Sequence, residues 1–240
     1  MNYIPCFLIG FVFFCLGYLI SDFRHSTGTA SEVTVISDAQ KTTKSNREQE
    51  WEKLFQQNSS AADIQKQLKS QKAYAKELIA MTSSEQIGHY LDRAFPDYDM
   101  SDIQNKRQFA LRFLEEWTNA KNNMEDELKG VAYVTLHEGW NGHPEAAPEA
   151  VYERQQLYAH FDTLGKFPNT TQVMVRWSNQ TTQDVLLFTP QHINGSSQNW
   201  VSFTPIEGWR PGHYDVKYYQ MNNQMTPIAQ TSFHIKEIIH

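Results

Sequence analysis

Hydrophobic and polar positions along this chain change their period twice. From Tyr3 to Ile20 the chain is apolar or uncharged throughout (YIPCFLIGFVFFCLGYLI). Between residues 51 and 117 apolar side chains recur at helical spacing. From residue 130 onward they alternate with polar ones, the period of half-buried strands. The chain therefore reads as α+β, with a transmembrane anchor (1–21), a flexible linker (22–46), a short helical region (47–121) and a C-terminal β-sandwich (130–240).

Eighteen residues lie between Tyr3 and Ile20, and at helical rise they span about 27 Å, close to the ~30 Å hydrocarbon core of a bilayer. Pro5 falls in the first turn, where a missing N–H costs little. A cleaved signal peptide is the competing reading. Against it, the segment exceeds the usual roughly 7–15-residue apolar core and no A-x-A sequence follows closely. Neither Cys6 nor Cys15 follows the small residues of a lipoprotein cleavage box. A long C-terminal body translocates largely regardless of flanking charge. The expected arrangement is a single pass of the inner (cytoplasmic) membrane with the body in the periplasm. Ser21 to Ser45 has the Ser/Thr-rich composition of a linker.

Trp51, Leu54 and Phe55 open the helical pattern, which breaks at Asn58-Ser59-Ser60. Ser60 with Asp63 resembles a cap, and Ile64, Leu68, Tyr74, Ala75, Leu78 and Ile79 continue the stripe. Ser83 and Gln86 form a capping box before Ile87, Tyr90, Leu91 and Phe95, and Pro96 ends that helix. A further helix is expected to open near Ser101 and to carry Ile103, Ala110, Phe113, Leu114 and Trp117. Without sustained heptads a long coiled coil is not expected. The stripes fit internal packing or docking on a partner.

Seven strands are predicted in 130–138, 156–162, 172–179, 183–190, 199–205, 213–220 and 227–238. Turn residues separate them at Pro168-Asn169, Ser178-Asn179, Asn194-Gly195, Pro211-Gly212 and Asn222-Asn223. Trp177 and Trp200 lie on strands and are expected in an inter-sheet core. GWRPGHYDVKYY resembles the strand start of immunoglobulin-like and fibronectin-like sandwiches, which makes Tyr214 the candidate tyrosine corner.

Composition narrows the chemistry. Net charge is −6, with Lys and Arg scattered singly, so nucleic acid is not an expected ligand. Both cysteines sit in the anchor, which removes disulfide scaffolds, thiol nucleophiles and cysteine zinc sites from the body. HEGWNGH (His137–His143) lacks the i, i+4 spacing of a zincin helix; it reads as a strand end plus loop, with a site from His137, Glu138 and His143 the alternative. No nucleophile elbow or phosphate-binding glycine loop occurs. Glu115 and Glu116 point apart on a helix and read as a solvated face. The body is expected to be a non-enzyme without cofactor or metal. Sequons occur at Asn58, Asn169, Asn179 and Asn194.

This order of anchor, linker, helices and sandwich resembles the membrane-anchored chaperones dedicated to single exported enzymes. Lipase foldases carry R-x-x-F-D-Y, whereas RAFPDY (Arg93–Tyr98) departs from that spacing. The CpaB-type chaperone of a type II secreted metalloprotease matches better in length and layout. The resemblance implies an extracytoplasmic chaperone that binds an exported client before secretion. Trp140, Trp209, Trp51, Phe55, Trp117 and Tyr219 are candidate partner contacts, because aromatics dominate interface hot spots. For Trp51, Phe55 and Trp117, core packing is the competing reading. Alternatives are a carbohydrate-binding envelope module and a structural component of a secretion or pilus assembly.

Overall fold

A computed structural model of the chain describes residues 61–120, 128–138, 146–168, 171–193 and 199–240. The expected anchor and linker, with Trp51, Phe55 and Trp140, lie outside the described residues. Among the described residues no helix is long and apolar enough to cross a membrane. Among the described residues the fold is mixed helix and sheet, with three helices followed by nine strands.

Helix α1 runs Ala61–Met81, α2 Ser84–Ala94 and α3 Lys106–Thr118. The capping box at α2 forms: Gln86 N donates to Ser83 Oγ (3.2 Å) and Ser83 N to Gln86 Oε1 (3.4 Å). The expected helix start near Ser101 is corrected. Ser101 N donates instead to Asp99 Oδ1 (2.8 Å), which closes a turn. The helix begins only after Asn105, whose Oδ1 accepts from Gln108 N (3.0 Å). Asn105 N in turn donates to Asn223 Oδ1 (2.8 Å), pinning the start of α3 to the sheet's last hairpin.

The strands are β1 (Val131–Thr135), β2 (Ala150–Tyr152), β3 (Leu157–Asp162), β4 (Gln172–Asn179), β5 (Asp184–His192), β6 (Asn199–Phe203), β7 (Gly212–Gln220), β8 (Pro227–Ile235) and β9 (Glu237–Ile239). One antiparallel sheet has the order β1-β3-β6 and another β5-β4-β7-β8; β2 and β9 form a small parallel pair. The last predicted strand divides at Lys236, where the N–H groups of Lys236 and Glu237 both turn to Glu149 O (2.7 and 3.2 Å). The pair β2–β9 was not predicted. Its three-residue strands are too short to show a period.

The two larger sheets share one apolar core. Val134, Ala159, Phe161 and Val201 come from the first sheet; Val175, Trp177, Val216, Tyr218 and Phe233 come from the second. The opposite face of the four-stranded sheet is also covered. Met174, Phe188 and Tyr219 join Phe95, Phe109, Phe113 and Trp117 in a second core beneath the helices. Phe113 stacks on Phe188 at 4.8 Å and 4°. The helices are therefore a layer laid on the sheet. Each large ring buried this way stabilises by about 1.5–3 kcal/mol, which makes this layer part of the folded unit.

Candidate functional site

Two places concentrate polar and aromatic chemistry, one buried and one open only in part. The buried one follows from the alternation of central strands β4 and β7. Their inward residues fill the inter-sheet core, so Arg176, Ser178, Asp215 and Tyr219 face the helices. Arg176 is fully buried. Its Nη1 donates to Glu116 Oε2 at 2.6 Å and reaches Glu116 O (3.2 Å) and Asn119 O (3.1 Å) at the end of α3. Tyr219 Oη donates to the same carboxylate oxygen at 2.6 Å, and Arg112 Nη2 binds the other oxygen at 2.7 Å. Asp215 Oδ2 lies 3.6 Å from Arg176 Nη2, and Ser178 Oγ and Gln180 Nε2 both donate to Asp215 Oδ1.

Desolvation dominates this cluster. Burial pushes the Asp215 carboxyl above the usual range, and the Arg176 charge and the donated bonds only partly offset it. Burial likewise raises the Tyr219 hydroxyl well above its ordinary value. Glu116 was expected on a solvated face, but its side chain is only 12% exposed; the C-terminal turn of α3 lies against β4 and β7, and Arg176 needs a counter-charge there. Glu115, beside it, does face solvent and pairs with Lys76 at 2.7 Å. The cluster ties the last turn of α3 to the sheet.

A shallow cleft of about 390 Å³ lies nearby, between α3 and the β7–β8 turn, lined by Gln108, Leu111, Arg112, Glu115, Gln224, Thr226 and Pro227. Arg112 is engaged by Glu115 and Glu116, and Glu115 also by Lys76, so its charged groups are already satisfied within the chain.

The second place is the outer face of the β1-β3-β6 sheet, buried at Tyr133, Thr135 and His160 and open at Trp200. Cross-strand register sets Tyr133, His160 and Trp200 in one row and Thr135, Tyr158 and Ser202 in the next. Tyr133 and His160 stack at 4.7 Å and 2°. Trp200 is 42% exposed and meets Tyr158 edge-on at 5.5 Å and 72°. His160 Nε2 lies 2.8 Å from Thr135 Oγ1 and 3.1 Å from His137 O. The one ionisable acid on these three strands, Asp162, accepts from Leu164 N at the sheet's end (2.8 Å). The face is aromatic, carries Asp162 at its end, is buried at Tyr133, Thr135 and His160, and is open to solvent at Val131 and Trp200.

The placement of the sequence-derived candidates is mixed. Trp209 was a candidate partner contact, but it is only 2% exposed. Gly208 takes a positive φ of 78°, and Trp209 N then donates to Glu153 O (2.8 Å) and its indole Nε1 to Gln155 O (2.7 Å). This turns the ring into the core against Trp177 and Phe203. Trp117 and Tyr219 are buried between helices and sheet. These three are corrected from partner contacts to packing residues: each spends its surface inside the chain. Trp200 is corrected in the opposite direction. Its neighbour Val201 points into the core, so alternation sends Trp200 outward. His137 and Glu138 are exposed at the end of β1, while His143 lies outside the described residues. Among the described residues no cluster of three or more His, Cys, Asp or Glu side chains is arranged to hold a metal.

No family model matches the chain, and no curated protein matches it. Among solved structures, the Pseudomonas fluorescens alkylpurine DNA glycosylase AlkC, bound to DNA containing an abasic site analog, is similar over 81% of this chain and 50% of that one. The identity is 11% and the TM-score 0.34. The chain spans about half the length of that protein, and an overlap of this degree assigns neither fold nor role.

Proposed function

We propose that this protein is a membrane-tethered binding protein that holds an exported protein client on the periplasmic side, a chaperone-like role. Its contact surface is the outer face of the three-stranded sheet. One observation carries the reading: Trp200 stands exposed on a regular strand, edge-on to Tyr158. A large ring held rigid at low entropic cost and flanked by uncharged polar groups is the usual makeup of an interface anchor. Stabilising a client by binding its folded form needs no catalytic side chain. The apolar N-terminal segment supplies the tether in this proposal, and residues 22–46 the reach.

The frame that presents this face is, we infer, immunoglobulin-like. Support comes from the Tyr214 hydroxyl, which donates to Arg210 O at 2.6 Å and accepts from Arg210 N at 3.3 Å. Trp177, buried on β4, supports it as well.

Site-specific photo-crosslinking in intact cells tests the role. A crosslinker at Trp200 is expected to trap one discrete exported protein, whereas one at exposed Glu85 on α2 is not. Equal or absent products at the two positions would overturn the proposal. The same uncharged ring pair also suits stacking on a sugar, so retention on cell-wall polymer that is lost with Trp200→Ala would favour the carbohydrate-binding alternative.

A further inference from the structure

Register in the four-stranded sheet sets two histidines face to face. His213 on β7 and His234 on β8 are direct cross-strand partners. Their neighbours Tyr214 and Phe233 enter the inter-sheet core, so alternation sends both imidazoles to the opposite face, at the end of the strand pair. The ring centroids lie 4.1 Å apart and the planes are 12° from parallel. His213 is exposed and His234 half-buried.

The backbone beneath the pair is held firmly. His213 N donates to Thr181 Oγ1 (2.9 Å), and His213 O accepts from Gln180 N (2.7 Å). Antiparallel pairing with β7 fixes His234. The rings themselves are uncommitted: among the described residues no hydrogen bond or ion pair engages a nitrogen of either one. Other histidines of the fold differ. His160 Nε2 lies 2.8 Å from Thr135 Oγ1, and His192 Nε2 lies 3.2 Å from Asp97 O.

Adjacent neutral imidazoles with free nitrogens, carried on rigid strands, have the chemistry of a transition-metal ligand pair, whereas calcium and magnesium select oxygen donors. Two nitrogens bound at about 2.0–2.1 Å to one ion sit about 3 Å apart. Rings 4.1 Å apart reach that bite by tilting together at one edge, with the strands unmoved. We infer that His213 and His234 form a two-ligand site for a first-row divalent transition ion, Cu²⁺ before Ni²⁺ and Zn²⁺, which clamps β7 to β8. Asp215 is the next acid on this face of β7, but Ser178, Gln180 and Arg176 already engage its carboxylate. The remaining coordination positions therefore go to water, and the ion exchanges instead of being locked in as a four-ligand structural zinc is. The site lies on the sheet away from Trp200 and does not depend on the client role.

The test uses the full chain in detergent micelles at a pH of about 7.5, where imidazoles are neutral, with Cu²⁺ and Ni²⁺ salts as probes. Substoichiometric Cu²⁺ is expected to broaden the ring-proton resonances of His213 and His234 before those of any other histidine. Ni²⁺ is expected to bind with a Kd of about 10 μM. His213→Ala and His234→Ala should each weaken that binding about tenfold or more, while His89→Ala, which removes an exposed histidine of α2, should leave it unchanged. Ni²⁺ should also raise the thermal midpoint of the wild type but not of the two site variants. Broadening that begins at another histidine, or Ni²⁺ affinity that survives both substitutions, would overturn the inference. The broadening is read on the wild type, so it decides the matter even where a variant does not fold.

Discussion

Removing the Glu116 carboxylate is the sharpest perturbation this structure offers. In Glu116→Ala, Arg176 loses its closest counter-charge (2.6 Å) and Tyr219 loses the acceptor of its hydroxyl (2.6 Å). Stripping one member from a buried ion pair costs about 3–5 kcal/mol, because the surviving charge stays desolvated. Here the lower part of that range applies. Two backbone carbonyls still accept from Arg176, and Asp215 remains 3.6 Å away. The stranded Tyr219 hydroxyl adds about 1 kcal/mol, not fully additive. The expected loss is therefore about 3–4 kcal/mol. Urea unfolding of the full chain in micelles, followed by tryptophan fluorescence, measures it; Trp117 and Trp177 adjoin Glu116 and Arg176 in sequence and report directly. The double variant Glu116→Leu/Arg176→Met is expected to recover only part of the loss: the unpaired arginine is gone, but Asp215 loses the cation 3.6 Å away and Tyr219 still lacks its acceptor. A loss below about 1 kcal/mol in Glu116→Ala would refute the reasoning, because the pair would then be acting as a solvent-screened one.

Trp209→Ala is expected to cost about 3–5 kcal/mol by cavity formation, and Trp200→Ala under about 1 kcal/mol; thermal unfolding of both variants checks the assignment of one ring to the core and the other to the surface. Tyr214→Phe deletes the bond to Arg210 O and is expected to lose about 1–2 kcal/mol, read from the shift in urea midpoint. Because the carboxyl of Asp215 titrates higher in the fold than in the unfolded chain, its contribution is fully present below the unfolded value of about 3.9 and is lost as pH rises through the folded one. The stability of the wild type relative to Asp215→Asn should therefore fall with rising pH over that window; a relative gain would contradict the burial argument.

Much of the fold was legible because its signals are local. Alternation and turn residues located seven strands, with β4 predicted over the observed 172–179, and Ser83 with Gln86 announced α2. The site was less legible because facing depends on partners distant in sequence. Trp209 sits in a Gly/Pro-rich loop and reads as exposed until the Gly208 turn and the Glu153 carbonyl are known. Trp200 reads as core from its strand, yet the phase of that strand is set by Val201. A signal for the buried cluster was present. A lone arginine inside QVMVRWSN, on a strand apolar enough to be central, calls for a buried acid, and Glu116 was available on the apolar side of a helix. Sequence reasoning passed over it because adjacent acids were taken together, although one faces solvent and the other faces β4.

The helical layer also has a consequence for how the chain is born. Residues 61–118 leave the ribosome before the strands that cover them: Phe113 and Trp117 find Phe188 and Tyr219 only after most of the chain has emerged. Until then a row of large rings faces water, so the nascent protein is at its stickiest midway through synthesis. A chain stopped short of Tyr219 is left permanently in that condition, fit for aggregation or proteolysis rather than for service as a smaller working version.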